Sequence, residues 1–307
     1  MRPLIVASLL VFISSLAQAA PLAATKVQKI NDRVYALLGP TEFPSKSNQG
    51  YMVNATAIIG DKGVILVDTG FTDEIGKHLA KAIAKLTPKP VTHIINTHHH
   101  GDHHLGNIAF KGAEVISTQS CKEIVEKTGY DWIATIQTLS GNKFPNTKPV
   151  LASVTVKQDS RTERVIQGVK VVLWAPKGSH TPGDLMVYLP EDKVLMGGDI
   201  LVNGQTSNFS DAHVKSWIGT LDDVQKIDVK TIVPGHGALM TKADVATMHK
   251  RMASFYAEVE AGYKKGLSDS EIRKTLDLSQ WKKLSRFEEQ IGPNINRTYL
   301  EVEAENF

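Results

Sequence analysis

The residues able to do chemistry gather at 98–104, where five of the eleven histidines and one aspartate fall within seven positions: His98, His99, His100, Asp102, His103 and His104. Neutral imidazole is the commonest protein ligand for zinc, and a carboxylate adds an oxygen donor. His98, His100 and Asp102 are two apart, so an extended segment puts their side chains on one face, and His103 can turn to a second centre. His99 and His104 then face away, as outer contacts or toward solvent. A helical zinc motif would separate its histidines by four positions instead. The segment follows an apolar run at 91–97, after Pro90, that reads as a buried strand. The histidines are therefore expected on a loop at the carboxyl end of a strand, where open α/β sheets keep their sites.

Residues 97–103, Thr-His-His-His-Gly-Asp-His, resemble the H-x-H-x-D-H signature of the metallo-β-lactamase superfamily. Three further segments follow in superfamily order: His180 in His-Thr-Pro-Gly-Asp, Asp199 in Gly-Gly-Asp, and His236 in Pro-Gly-His-Gly. The resemblance implies a site for two zinc ions. His98, His100 and His180 would hold one, Asp102, His103 and His236 the other, and Asp199 would bridge them. Three or four protein ligands per zinc leave a position for water, as a catalytic site requires. A water shared by two zinc ions is acidic enough to act as a nucleophile near neutrality, so the implied activity is hydrolysis of an activated acyl bond, with Asp102 orienting the water or passing on its proton. Asp68, in Asp-Thr-Gly, resembles the carboxylate that orients a ligating histidine through its other ring nitrogen; it also reads as a helix cap.

Strand, helix and loop signals alternate in two halves along the chain. This α/β pattern fits the superfamily's four-layer αβ/βα sandwich, two mixed sheets packed face to face with helices outside. The resemblance covers roughly residues 28–240. A single domain is expected over 20–307, with C-terminal helices from about 241. Residues 27–38 read as one opening strand. Residues 39–50 read as a turn-rich mobile loop, with Phe43 as its apolar tip or an ordinary packed residue. Strands are expected at 51–59 and 64–67, a helix at 73–86, a short helix at 120–127, loop at 139–149 and strands over 165–174. A strand over 194–199 would place Asp199 at its end. Val214, Trp217, Ile218, Leu221 and Val224 share a helical face. The segment from about Trp281 carries no functional signal.

Residues 1–19 read as an export leader: Arg2, an apolar stretch over 4–16, then Ala17-Gln18-Ala19 as the cleavage site. Nothing after it has the length and apolarity of a membrane span, so a periplasmic or secreted protein is expected. Its lone cysteine, Cys121, cannot close an internal disulfide and reads as a small buried hydrophobe. The net charge is +3 and the basic residues are scattered, which excludes a nucleic-acid stripe; the resemblance implies a small-molecule substrate as the partner.

For the substrate, residues 177–190, 194–201 and 207–217 resemble class B β-lactamases. There Asn208 falls where those enzymes keep an asparagine near the lactam carbonyl, a candidate oxyanion donor and equally a turn residue. The chain departs from that class twice. Asp199 stands where the main lineage has cysteine, and Val202 where it often has the lysine that holds the substrate carboxylate. An aspartate bridge resembles glyoxalase II, a thioester hydrolase, although that family's glutathione-binding segment is not recognisable here. Some exported relatives with aspartate at this position resemble accessory proteins of quinoprotein systems. A β-lactam ranks first among these readings.

Overall fold

Two sheets face one another and helices cover their outer faces. The computed structural model describes residues 22–306, so the expected leader lies outside the described residues. The first sheet runs in chain order through β1 (Lys26–Lys29), β2 (Val34–Leu38), β3 (Ala55–Ile59), β4 (Val64–Val67), β5 (Val91–Ile95), β6 (Glu114–Thr118) and β7 (Val154–Val156). Its pairs are antiparallel as far as β4 and parallel beyond it. The second sheet has the order β12 (Thr231–His236), β11 (Val194–Val202), β10 (Met186–Leu189), β9 (Val169–Ala175) and β8 (Ser160–Ile166), with only β11 and β12 parallel. The helices are α1 (Asp73–Ala84), α2 (Gly101–His104), α3 (Gln119–Ser140), α4 (Val214–Lys226), α5 (Lys242–Lys264), α6 (Asp269–Ile272) and α7 (Phe287–Glu305).

Strand side chains alternate between faces, and that period sorts the core. Ile58, Ile65, Val67 and Ile95 of the first sheet meet Val171, Leu173, Val187 and Met196 of the second. Their neighbours Val64, Leu66 and Ile94 face outward and meet Ile75 and Leu79 of α1 and Ile133 of α3. On the far side, Leu195 and Ile232 meet Trp217 and Leu221 of α4, Met248 and Met252 of α5, and Ile295 of α7. Each such fully buried aliphatic side chain contributes about 1.5–3 kcal/mol. The layers are those of the expected αβ/βα sandwich, closed at the second face by α7.

Several segments differ from expectation. Residues 27–38 form two strands, because Asn31 Oδ1 accepts from Arg33 N (3.0 Å) and Val34 N (2.9 Å) and turns the chain. Helix α3 continues to Ser140, past the expected 127. Thr118 caps its start, Val125, Gly129, Ile133 and Ile136 extend its buried stripe, and Gly141 at φ 68 ends it. Residues 165–174, by contrast, are strand as expected, the end of β8 and most of β9 joined in a hairpin. The 39–50 loop is tied down by Asn48, whose Nδ2 donates to Phe43 O (2.8 Å) and whose Oδ1 accepts from Ser45 N (2.8 Å) and Gly50 N (2.9 Å). Residues 51–54 precede β3 and serve the site instead.

Candidate metal centre

Strand β5 delivers the histidine stretch at its carboxyl end. His100 is still extended, at φ −66 and ψ 139, but residues 101–104 wind into the single turn α2. This corrects the fully extended reading: His103 N donates to His100 O (3.0 Å), so Asp102 and His103 project from a helical turn. His180 lies on the turn before β10, and His236 ends β12. Asp199 stands within β11, not at its end. There the strand shifts register at Gly198, whose φ is +51. A Cβ on Gly198 would meet Thr97, and one on Gly235 would meet the Asp199 carboxylate. These two glycines let β11 bulge and let β12 approach.

The predicted residues converge as two groups. Ligating atoms of His98, His100, His180 and Asp199 lie within 4.8 Å of one another, as do those of Asp102, His103 and His236. Asp199 spans both: Oδ1 is 3.3 Å from His103 Nε2, and Oδ2 is 3.4 Å from His236 Nε2 and 3.7 Å from His180 Nε2. Asp102 Oδ2 lies 3.2 Å from His236 Nε2 and 3.5 Å from His103 Nε2.

The five rings are held from behind. The Asp68 carboxylate accepts from His103 Nδ1 (2.8 Å), and also from Thr97 N (2.9 Å) and the Thr97 hydroxyl (2.7 Å). That hydroxyl oxygen in turn lies 3.1 Å from His98 Nδ1. Asn208 O accepts from His180 Nδ1 (3.1 Å), Met52 O from His236 Nδ1 (3.0 Å), and Asp211 Oδ2 from His100 Nε2 (2.9 Å). One nitrogen of each ring is therefore engaged, which orients the other inward, the usual construction behind metal-ligating histidines. Asn54 braces the His236 loop by donating to Pro234 O (2.9 Å) and Gly237 O (2.8 Å). His98 Nε2, His103 Nε2 and Asp199 Oδ1 are buried without a hydrogen bond. Orphaned donor atoms in both groups fit bound cations, and a nitrogen–oxygen donor set suits zinc.

Protonation differs between the groups. Burial holds His180 down to about 3 and His98 well below its ordinary range, so both rings are neutral. Burial also opposes charge on His103 and His236. The carboxylates of Asp102 and Asp199 prevail, raising His103 well above its ordinary range and His236 to about 9. The Asp102 group thus gathers positive charge, and a dication bound there would displace those protons.

His99 and His104 are 5% and 1% exposed, so of the two roles expected for them, outer contact or solvent, their burial fits the first. His99 Nε2 lies 3.6 Å from Asp211 Oδ2, and burial pulls His104 down to about 3. Asn208 makes the turn, its Oδ1 accepting from Ser210 N (2.9 Å) and Ser210 Oγ (2.7 Å). Val202 is buried and pairs with His236 across β11 and β12.

The C-terminal segment, silent in sequence, supports the wall. Asn294, fully buried on α7, accepts from Phe209 N (3.0 Å) and donates to Ser207 O (2.8 Å). Glu301 accepts from Val214 N (2.8 Å) and Lys215 N (3.0 Å) at the start of α4. Residues 207–215, which hold His180 and His100 through Asn208 and Asp211, are fixed from both sides. No short motif marks Asn294 or Glu301. Asp211 lay in the recognised 207–217 segment without an assigned role.

Residues 48–236 match the family described as the metallo-beta-lactamase superfamily. A metallo-beta-lactamase type 2 from Bacillus sp. (strain 170) is 27% identical over 224 residues, covering 70% of this chain and 77% of that protein. The structure of a metallo-beta-lactamase from Pontibacter korlensis superimposes with a TM-score of 0.59 at 23% identity, covering 75% of this chain and 99% of that one. The stereoselective inverting sec-alkylsulfatase Pisa1 from Pseudomonas sp. superimposes with a TM-score of 0.69 at 18% identity, over 90% of this chain and 50% of that one. The chain belongs to the metallo-β-lactamase superfamily and is a metal-dependent hydrolase. Among the described residues no helix is long and apolar enough to cross a membrane.

Proposed function

We propose that this protein is an exported hydrolase with two zinc ions, opening the cyclic amide of a β-lactam. One observation carries the reading: five histidines, each fixed through one ring nitrogen, turn the other toward two carboxylates. His98, His100 and His180 would hold one zinc, and Asp102, His103 and His236 the other, with Asp199 between them. When bound, zinc supplies Lewis acidity and an acidified water.

The chain's own residues then do the rest. Asp102, whose side chain is 12% exposed, belongs to the second group and would take a proton from the attacking water and pass it to the departing nitrogen. Asp68 and Asp211 fix the tilt and tautomer of His103 and His100. Asn208 Nδ2 donates to no other described residue, and it is the candidate donor to the developing oxyanion. Export follows from the leader-like 1–19.

The lactam is supported by the type 2 relatives and by residues 177–217. Asp199 in place of cysteine keeps a thioester as the rival substrate, and the long match to a sec-alkylsulfatase adds a secondary alkyl sulfate to the panel. The test is steady-state kinetics on zinc-loaded protein with a chromogenic cephalosporin, a carbapenem, S-lactoylglutathione and the sulfate. Cephalosporin turnover that chelator abolishes and zinc restores is the expected result. Thioester or sulfate turnover with no lactam turnover above free zinc would overturn the lactam assignment.

A further inference from the structure

An arginine withdrawn from water needs a partner for its charge, and burying one without a partner is costly. Arg33 has Asp192 and Glu191, and Arg297 donates to Ala212 O (3.0 Å). Arg251 on α5 has no such partner. The residue is half-buried, its Nε is buried without a hydrogen bond, and among the described residues no carboxylate pairs with it. Burial pulls its guanidinium below the ordinary pKa, and no carboxylate pushes it back up. We propose that Arg251 anchors a binding site for a small organic monocarboxylate, in a cleft between α5 and residues 277–281, separate from the metal centre and independent of its substrate.

Arg251 lines this cleft of about 510 Å³ with Thr247, Lys250, Phe255, Asp277 and Trp281, and none of the seven candidate metal ligands borders it. The volume suits a small organic molecule. Both walls are fixed. Phe255 and Trp281 are each 2% exposed, with ring centroids 5.1 Å apart. Asp277 N donates to Glu258 Oε2 (2.9 Å), which ties the 277–281 segment to α5.

The donors that remain select the ligand. The Arg251 guanidinium carbon stands over the Trp281 ring, 5.2 Å from its centroid. A cation over a ring presents its face, whereas the five guanidinium N–H donors point outward in the plane. Packing on Trp281 therefore leaves the edge unsatisfied, and a carboxylate matches that edge with two parallel hydrogen bonds. Lys250 adds a second cation that makes no ion pair among the described residues, and Asp277 adds one carboxylate. One positive charge is left over, which suits a monoanion better than a phosphate dianion. The hydroxyls at the cleft are already committed, Thr247 to Ala243 O (2.9 Å) and Ser254 to Glu258 Oε1 (2.9 Å). With two aromatic rings in the lining, that favours an apolar ligand body over a sugar or polyol. Arg161 makes a useful contrast: it also stands over a ring, 3.8 Å from the Trp174 centroid, but the residue is exposed and water can reach its donors.

Phenylacetate serves as the probe, with phenylacetamide as its neutral counterpart and inorganic phosphate as the dianion. Each is titrated by calorimetry into zinc-loaded wild type, Arg251→Met, Arg251→Lys and a control, Arg161→Gln. Phenylacetate should saturate wild type with a Kd of about 1 mM or below. Arg251→Met should weaken it at least about tenfold, the loss of a charge-assisted contact. Arg251→Lys should weaken it less, because the ammonium keeps the charge and loses the fork, and Arg161→Gln should match wild type. Phenylacetamide and phosphate should bind wild type at least about tenfold more weakly than phenylacetate. Saturating phenylacetate should raise the Tm of wild type and leave that of Arg251→Met unchanged. The methionine variant should fold, since an apolar side chain replaces an unpaired charge, and Arg251→Lys carries the comparison if it does not. Equal phenylacetate affinity across the four proteins, the result expected of a carboxylate held by zinc, would overturn the proposal. So would tighter binding of phosphate or phenylacetamide than of phenylacetate, or no saturation of wild type by about 10 mM.

Discussion

Replacing Asp68 by Asn probes how the second group of ligands is built. The carboxylate accepts three hydrogen bonds, one at Oδ1 from Thr97 N and two at Oδ2 from the Thr97 hydroxyl and His103 Nδ1. An amide cannot accept all three. If its oxygen keeps Thr97 N, its NH2 faces the other two donors, and His103 must move its proton to Nε2, the nitrogen aimed at Asp199. If the amide flips, the NH2 meets the backbone N–H of Thr97. Asp68 is 2% exposed, so water offers little relief. Loss of one outer partner typically costs 10- to 100-fold in metal affinity, and a wrong tautomer places this site at the upper end, about 100-fold or about 2.7 kcal/mol. The unsatisfied donors add about 1–3 kcal/mol of lost stability, lowering Tm by roughly 5 °C. Zinc titration against a chromogenic chelator reads the first effect, and melting with and without zinc the second. A variant that still takes up two zinc ions with affinity within about threefold of wild type would refute this account, since the expected loss is far larger.

Three other outcomes follow from the same contacts. Asp199→Ala removes the carboxylate shared by both groups; zinc content measured by native mass spectrometry and hydrolysis should fall together, and a variant keeping two zinc ions at wild-type affinity would show the bridge misassigned. Asn294→Ala strips two buried hydrogen bonds from Phe209 and Ser207, so stability measured by urea unfolding should drop by about 2–4 kcal/mol, while lower kcat/KM should accompany any loosening of residues 207–215. Val202→Lys buries an ammonium beside His236, and the expected result is a Tm loss of about 5 °C or more with no improvement in KM, in contrast to a lysine at a pocket wall.

Much of this site was legible because its residues carry chemistry in short motifs. His98, His100, Asp102, His103, His180, Asp199 and His236 were named from motif order, and the folded chain brings them together. The sandwich followed from alternating apolar periods, which describe the strands of both sheets well. Conformation inside the motifs was harder to read. The helical turn at 101–104 has too few residues to show a period, and the bulge at Asp199 depends on Gly198 and Gly235, which are distant in sequence. The burial of His99 and His104 depends on what packs over them, which periodicity does not report. Asn294 and Glu301 were invisible for a related reason. Each braces a segment 85–87 residues away in sequence, so no local pattern announces it.

The braces on residues 207–215 also impose an order of assembly. Every candidate ligand lies at or before His236 in the chain, as do Asp68, Thr97 and Met52, which back the rings. Asn294 and Glu301 follow at a later stretch. A chain that enters its folding compartment amino end first can therefore gather its ligands before the wall bearing Asn208 and Asp211 is pinned. Metal capture and completion of the pocket are separable in time, and a chain stopped after α5 would hold the ligands without the shape that selects a substrate.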